Sequence, residues 1–108
     1  MPKTNASEDI PVTGTGLPTH RQPTHPGAIL LNRFLKEMDM SQAEAARQMS
    51  VPVTRINELV RGRRGITAKS ALRLGRLFGT TPQFWMNLQA NWDLWHALAD
   101  EKKLGRAS

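Results

Sequence analysis

The stretch Ser41-Gln42-Ala43-Glu44-Ala45-Ala46-Arg47-Gln48-Met49-Ser50-Val51-Pro52-Val53-Thr54-Arg55-Ile56-Asn57-Glu58-Leu59-Val60-Arg61-Gly62 decides the architecture. Ser41 followed by Glu44 is a capping box, in which the serine hydroxyl accepts from the N3 amide while the glutamate reaches back. It opens a brief helix over 42–49, where Ala45 and Ala46 give a small-residue face that a neighbouring element can approach closely. Ser50-Val51-Pro52 then intervene. A second short helix starts at Pro52, carries Ile56, Leu59 and Val60 on its inner side and stops at Gly62, a natural residue for the position just past a helix end.

Successive helical residues are about 100° apart, so with Thr54 at zero, Asn57 falls at about 300°, Glu58 at about 40° and Arg61 at about 340°. They form one polar arc, with Ile56, Leu59 and Val60 opposite. A capped helix, a three-residue turn and a second helix polar on its outer side make the helix-turn-helix layout, whose second helix enters a major groove by its N-terminal end. Val53, Thr54, Arg55 and Asn57 are therefore the candidate base contacts. Asparagine pairs bidentately with adenine, threonine offers a hydroxyl and a methyl, and Arg55 reaches a guanine or a phosphate from the flank. Gln42, beside the free amides at the start of the first helix, and Arg61, Arg63 and Arg64, at or past the end of the second, are the candidate phosphate contacts. Glu58 is expected to pair with Arg55 or Arg61, three residues away, ahead of the alternative that it accepts from a cytosine amino group.

Working outward, the charge supports this placement. The 108-residue chain holds 15 Lys+Arg against 9 Asp+Glu, a net of +6. Arg47, Arg55, Arg61, Arg63, Arg64, Lys69, Arg73 and Arg76 face only Glu58 between positions 47 and 76, and the segments on either side are near neutral. One dense basic window favours a surface for phosphates over a uniformly solvated face. With no cysteine there is no disulfide scaffold, thiol nucleophile or thiolate zinc site. His20, His25 and His96 stand without a carboxylate set, so no metal, cofactor or catalytic centre is expected. The apolar runs are far short of the roughly 20 residues that cross a membrane, and no secretory leader is visible, which together imply a cytoplasmic protein.

Residues 1–24, rich in proline, glycine and threonine, read as a flexible N-terminal arm. Helices follow from His25. Pro26 suits a first turn, and Leu31, Phe34, Leu35 and Met38 make a stripe over 27–38. Thr67 caps a fourth helix that carries Ala68, Ala71, Leu72, Leu74, Leu77 and Phe78 and runs to Gly79. Thr81-Pro82 opens a fifth helix, which ends near Ala99. Along it Trp85, Leu88, Trp92 and Trp95 recur at spacings of three and four, a seam that closes a core or a dimer. The expected organisation is an all-α, five-helix helix-turn-helix domain over 25–99 with a charged tail over 100–108.

These residues closely resemble the HigA antitoxins, also called the VapI-like plasmid-maintenance antidote group, within the lambda-repressor-like XRE/Cro helix-turn-helix family. The likeness spans roughly 25–98. It is carried by His25-Pro26-Gly27, by Arg55 through Thr67 and, most specifically, by Thr81-Pro82-Gln83-Phe84-Trp85-Met86-Asn87-Leu88-Gln89-Ala90 followed by Trp92-Asp93-Leu94. The resemblance implies a homodimer that represses its own promoter at an inverted repeat, and a cognate HigB toxin, a RelE-like endoribonuclease, neutralised by direct binding. Where relatives usually carry glycine in the turn this chain has Ser50, and Trp92 fills a slot commonly held by tyrosine. A stand-alone Cro-like repressor of a phage or mobile element and a purely protein-binding inhibitor are the competing readings.

Overall fold

Pro26 stands at the first position of helix α1 (Pro26–Ile29), where its missing N–H leaves nothing unsatisfied, and His25 caps it by accepting from the Gly27 amide at Nδ1, 2.9 Å away. The computed structural model describes residues 21–107, with side chains through Lys102. Most of the arm expected over 1–24 lies outside the described residues. α1 passes directly into a π-helix, π1 (Leu30–Leu35). The Lys36 amide donates to the Leu31 carbonyl at 3.0 Å and Met40 to Leu35 at 2.8 Å, both five residues back. That wider turn corrects the expected stripe. Residues five apart now share a side, so Leu30 and Leu35 are buried, Leu31 and Phe34 are half-buried and Met38 is exposed.

Helices α2 (Gln42–Met49), α3 (Val53–Val60), α4 (Ala68–Phe78) and α5 (Pro82–Ala107) follow, with no strand among the described residues. Hydroxyl caps account for the starts of α2, α4 and α5, while α3 follows Pro52 with no side-chain cap. Ser41 Oγ accepts from the Glu44 amide at 3.0 Å, Thr67 Oγ1 from Ser70 at 3.1 Å and Thr81 Oγ1 from Phe84 at 3.1 Å. The second half of the capping box is not made, because the Glu44 carboxylate turns to Arg47 and Gln48 instead. α5 continues eight residues beyond the expected end at Ala99, through the stretch read as a tail. Thr24–Gln89 group as one compact unit; residues 21–23 and the helix from Ala90 belong to another.

The core of the first unit joins Leu30, Leu35, Ala45, Ala46, Met49, Ile56, Leu59, Ile66, Ala71, Leu74 and Trp85. α2 packs on α3 and on α4, and α1 packs on α3. Phe34 lies among Phe78, Phe84 and Trp85, with ring centroids 4.9 to 6.2 Å apart, and the Trp85 indole N–H donates to Thr80 Oγ1 at 2.7 Å. α1 approaches the end of α3 so closely that a Cβ on Gly27 would stand 1.6 Å from the Leu59 carbonyl oxygen. Only glycine fits there, which gives the otherwise plain His25-Pro26-Gly27 run its meaning. In the second unit the rings of Trp92 and Trp95 flank His96 at 4.5 and 5.2 Å, and Gln22 Nε2 lies 3.1 Å from His96 Nε2.

Candidate nucleic-acid interface

The turn between α2 and α3 is built from a left-handed residue. Ser50 sits at φ 59°, ψ 45°, which lets the Val51 amide donate back to the Ala46 carbonyl at 3.0 Å and redirects the chain into α3. Arg73, on α4, clamps the same turn: its Nη1 donates to the Met49 carbonyl at 3.1 Å and the Ser50 carbonyl at 3.2 Å. One arginine of the basic window therefore secures the turn. With Gln48, Ser50 and Arg76 it also lines an open, polar hollow of roughly 280 Å³.

α3 then presents its outer side as the wheel predicts. Ile56 and Leu59 are fully buried, while Val53 and Thr54 are exposed and Arg55 and Asn57 are partly exposed. The Asn57 amide donates to Gln42 Oε1 at 3.2 Å. This bond joins the start of α2 to the middle of α3, so a candidate phosphate contact and a candidate base contact form one unit. Each amide group has two N–H donors, which leaves both side chains a further donor to present outward. Glu44, in the first turn of α2, has its carboxyl pKa lowered, first by the Arg47 hydrogen bond and then by Gln48. Lowered in the folded chain, that group supports α2 above its unfolded pKa, and its contribution is lost as pH falls through the folded value.

Past α3, Gly62 at φ 75° reverses the chain, and the Arg63 amide donates to the Glu58 carbonyl at 2.8 Å. The reversal corrects the expected partner of Glu58. Arg64, rather than Arg55 or Arg61, is carried back over the last turn, and its Nε and Nη2 reach Glu58 Oε1 at 2.9 and 2.8 Å. Arg61 and Arg63 are exposed beside it. The loop is fixed again at Ile66, whose side chain is buried and whose amide donates to Gln89 Oε1 at 2.7 Å. The roles of Arg73, read only as part of the basic window, and of Gln89, read only as part of the family-like run, escaped the sequence reading, since each acts on backbone more than 20 residues away.

The four seam residues are divided. Trp85 is fully buried in the core and Leu88 packs against it, whereas Trp92 and Trp95 are half-buried in the second unit. Among the described residues no group of three His, Asp or Glu side chains is placed to hold a metal, and no helix is long and apolar enough to cross a membrane.

Residues 31–85 match the Helix-turn-helix family. Virulence-associated protein I of Dichelobacter nodosus is 46% identical over 80 residues, covering 74% of each chain. The structure of Pseudomonas aeruginosa antitoxin HigA with the higBA promoter superposes with a TM-score of 0.74 at 48% identity, over 77% of this chain and 90% of that one. The chain belongs to the HigA antitoxin group of the helix-turn-helix family. Antitoxin GraA in complex with its operator, at a TM-score of 0.75 and 40% identity, covers 85% of this HigA-group chain and 93% of its own. HigA-group proteins are regulators and antitoxins rather than enzymes.

Proposed function

We propose that this chain is the antitoxin of a type II toxin-antitoxin module in the cytoplasm: a homodimer that binds an inverted repeat in its own promoter, represses the operon and neutralises a HigB-type, RelE-like toxin by direct binding. The single observation that carries the DNA-binding part is the outward side of α3, where Val53 and Thr54 are exposed and the partly exposed Asn57 is bonded to Gln42 at the head of α2. Asn57 and Thr54 read base edges in the major groove, Val53 offers an apolar surface to a thymine methyl, and Arg55 reaches in from the flank. Gln42, Arg61 and Arg63 hold phosphates and set the register. Arg64 joins them while also paired with Glu58, since a guanidinium has five donors and this pair occupies two. The solved structures of HigA with the higBA promoter and of GraA in complex with its operator support the same reading.

Mobility-shift titration with the chain's own upstream promoter tests it. Specific binding in roughly the nanomolar range at moderate salt is expected, with half-sites about 34 Å apart. Arg61→Ala with Arg63→Ala should weaken binding to all sequences alike and make the salt slope shallower by about two. Asn57→Ala should instead relax preference at one position of each half-site. No retardation at micromolar protein overturns the proposal in favour of a purely protein-binding inhibitor. Co-purification with the product of the adjacent gene, and growth rescue by co-expression, test the toxin.

A further inference from the structure

We infer that Gln89 is a positioning residue for operator binding: its side-chain carbonyl holds the loop that carries Arg61, Arg63 and Arg64 in the conformation that grips the duplex. The inference rests on the DNA-binding reading above and assigns a task to the Phe84-Trp85-Met86-Asn87-Leu88-Gln89 run that core packing leaves unexplained. Trp85 and Leu88 serve the core, but Gln89 directs its amide at backbone outside its own helix.

The loop from Arg61 to Thr67 has fixed ends and little between them. At one end the Arg63 amide is bonded to the Glu58 carbonyl, and at the other Thr67 caps α4. Between them lie Arg64, Gly65 and Ile66, with no regular secondary structure. Gln89 Oε1 accepts from the Ile66 amide at 2.7 Å, and a Cβ on Gly65 would stand 3.0 Å from the Gln89 amide group. Gly65 has no left-handed φ to demand glycine. Its bare Cα is what lets the glutamine lie against the loop. One side chain thus satisfies the buried end of the loop and limits how far Arg63 and Arg64 can swing. Guanidinium contacts to phosphate need the donors held in place before the duplex arrives, because ordering them at that moment costs affinity.

Two substitutions approach this contact from opposite sides. Gln89→Met keeps the length and apolar stem of the side chain and removes the carbonyl, whereas Gln89→Glu keeps an oxygen acceptor for the Ile66 amide. Gly65→Ala leaves Gln89 unsubstituted but pushes its amide group off the loop. Operator binding is read by fluorescence anisotropy across a salt series, loop order by hydrogen exchange at the Ile66 amide, and folding by thermal unfolding. Gln89→Met and Gly65→Ala are each expected to weaken operator binding about fivefold, the worth of one good hydrogen bond. Their salt slope should become shallower and the Ile66 amide lose protection, while Leu59 and Leu74 amides stay protected. Gln89→Glu should keep the Ile66 amide protected. Wild-type affinity and salt slope in Gln89→Met, with Ile66 protection lost, overturn the inference, as does loss of protection throughout the unit in both Gln89→Met and Gly65→Ala. Failure of the unaltered chain to bind its promoter overturns the DNA-binding reading itself, an outcome distinct from either.

Discussion

At the scale of single residues, Ser50 marks where the chain departs from the ideal chemistry of its own turn. A left-handed residue with a Cβ is strained by about 1–2 kcal/mol, and glycine relieves that at some entropic cost of its own. Ser50→Gly should therefore raise stability by roughly 0.5–1 kcal/mol, read as a shift of the urea midpoint at unchanged slope. The turn's need for this conformation showed only through the family resemblance, in which relatives usually carry glycine where this chain has Ser50. Glu58 was not legible in the same way. Helix periodicity places partners three or four residues away, while its actual partner Arg64 lies six residues on and meets it only because Gly62 folds the chain back. Gly27 and Gln89 belong with Glu58: their meaning is set by the Leu59 carbonyl and the Ile66 amide, which no local rule connects to them.

At the scale of elements, what could be read locally was read well. Hydroxyl caps at Ser41, Thr67 and Thr81, prolines at 26 and 82 and glycines at 62 and 79 set the helix bounds, since each acts within four residues of itself. The π-register of the first helix could not be seen, because assuming 3.6 residues per turn writes Met38 into the stripe and leaves Leu30 out of it. The charge of the 47–76 window was legible as a total but not in its division of labour. Arg73 faces the carboxyl end of α2 and completes the turn, so it should behave as a structural residue. Arg73→Met is expected to cost about 1 kcal/mol, the strength of a partly exposed hydrogen bond to a charged donor, and to leave the salt slope of operator binding unchanged. A slope reduced by one would show instead that this guanidinium neutralises a phosphate. The contrast with Arg61 and Arg63, whose loss should change the slope, separates two uses of one residue type within the same basic segment.

At the scale of the whole molecule, the proposed inverted repeat would require two recognition helices related by a two-fold axis, one from each chain of the proposed dimer. The seam residues suggest how two chains are held. Trp85 is spent inside the core, whereas Trp92 and Trp95 lie half-buried on the helix beyond Ala90, beside Leu94, which is exposed. A unit of this size buries only about 60% of its unfolded surface, so pairing through large aromatic side chains adds burial where it is scarce. Sedimentation equilibrium should give the mass of two chains, and Trp92→Ala with Trp95→Ala should lower it toward one. The same variant should keep the thermal transition of the Thr24–Gln89 unit, whose core contains neither residue. Its operator titration should turn from a single step into one that depends on the square of protein concentration, because dimer formation is then completed on the DNA. A double variant that still sediments as two chains and binds the operator in one step would place the dimer contact elsewhere on the chain, and would leave the two tryptophans as surface that another partner covers.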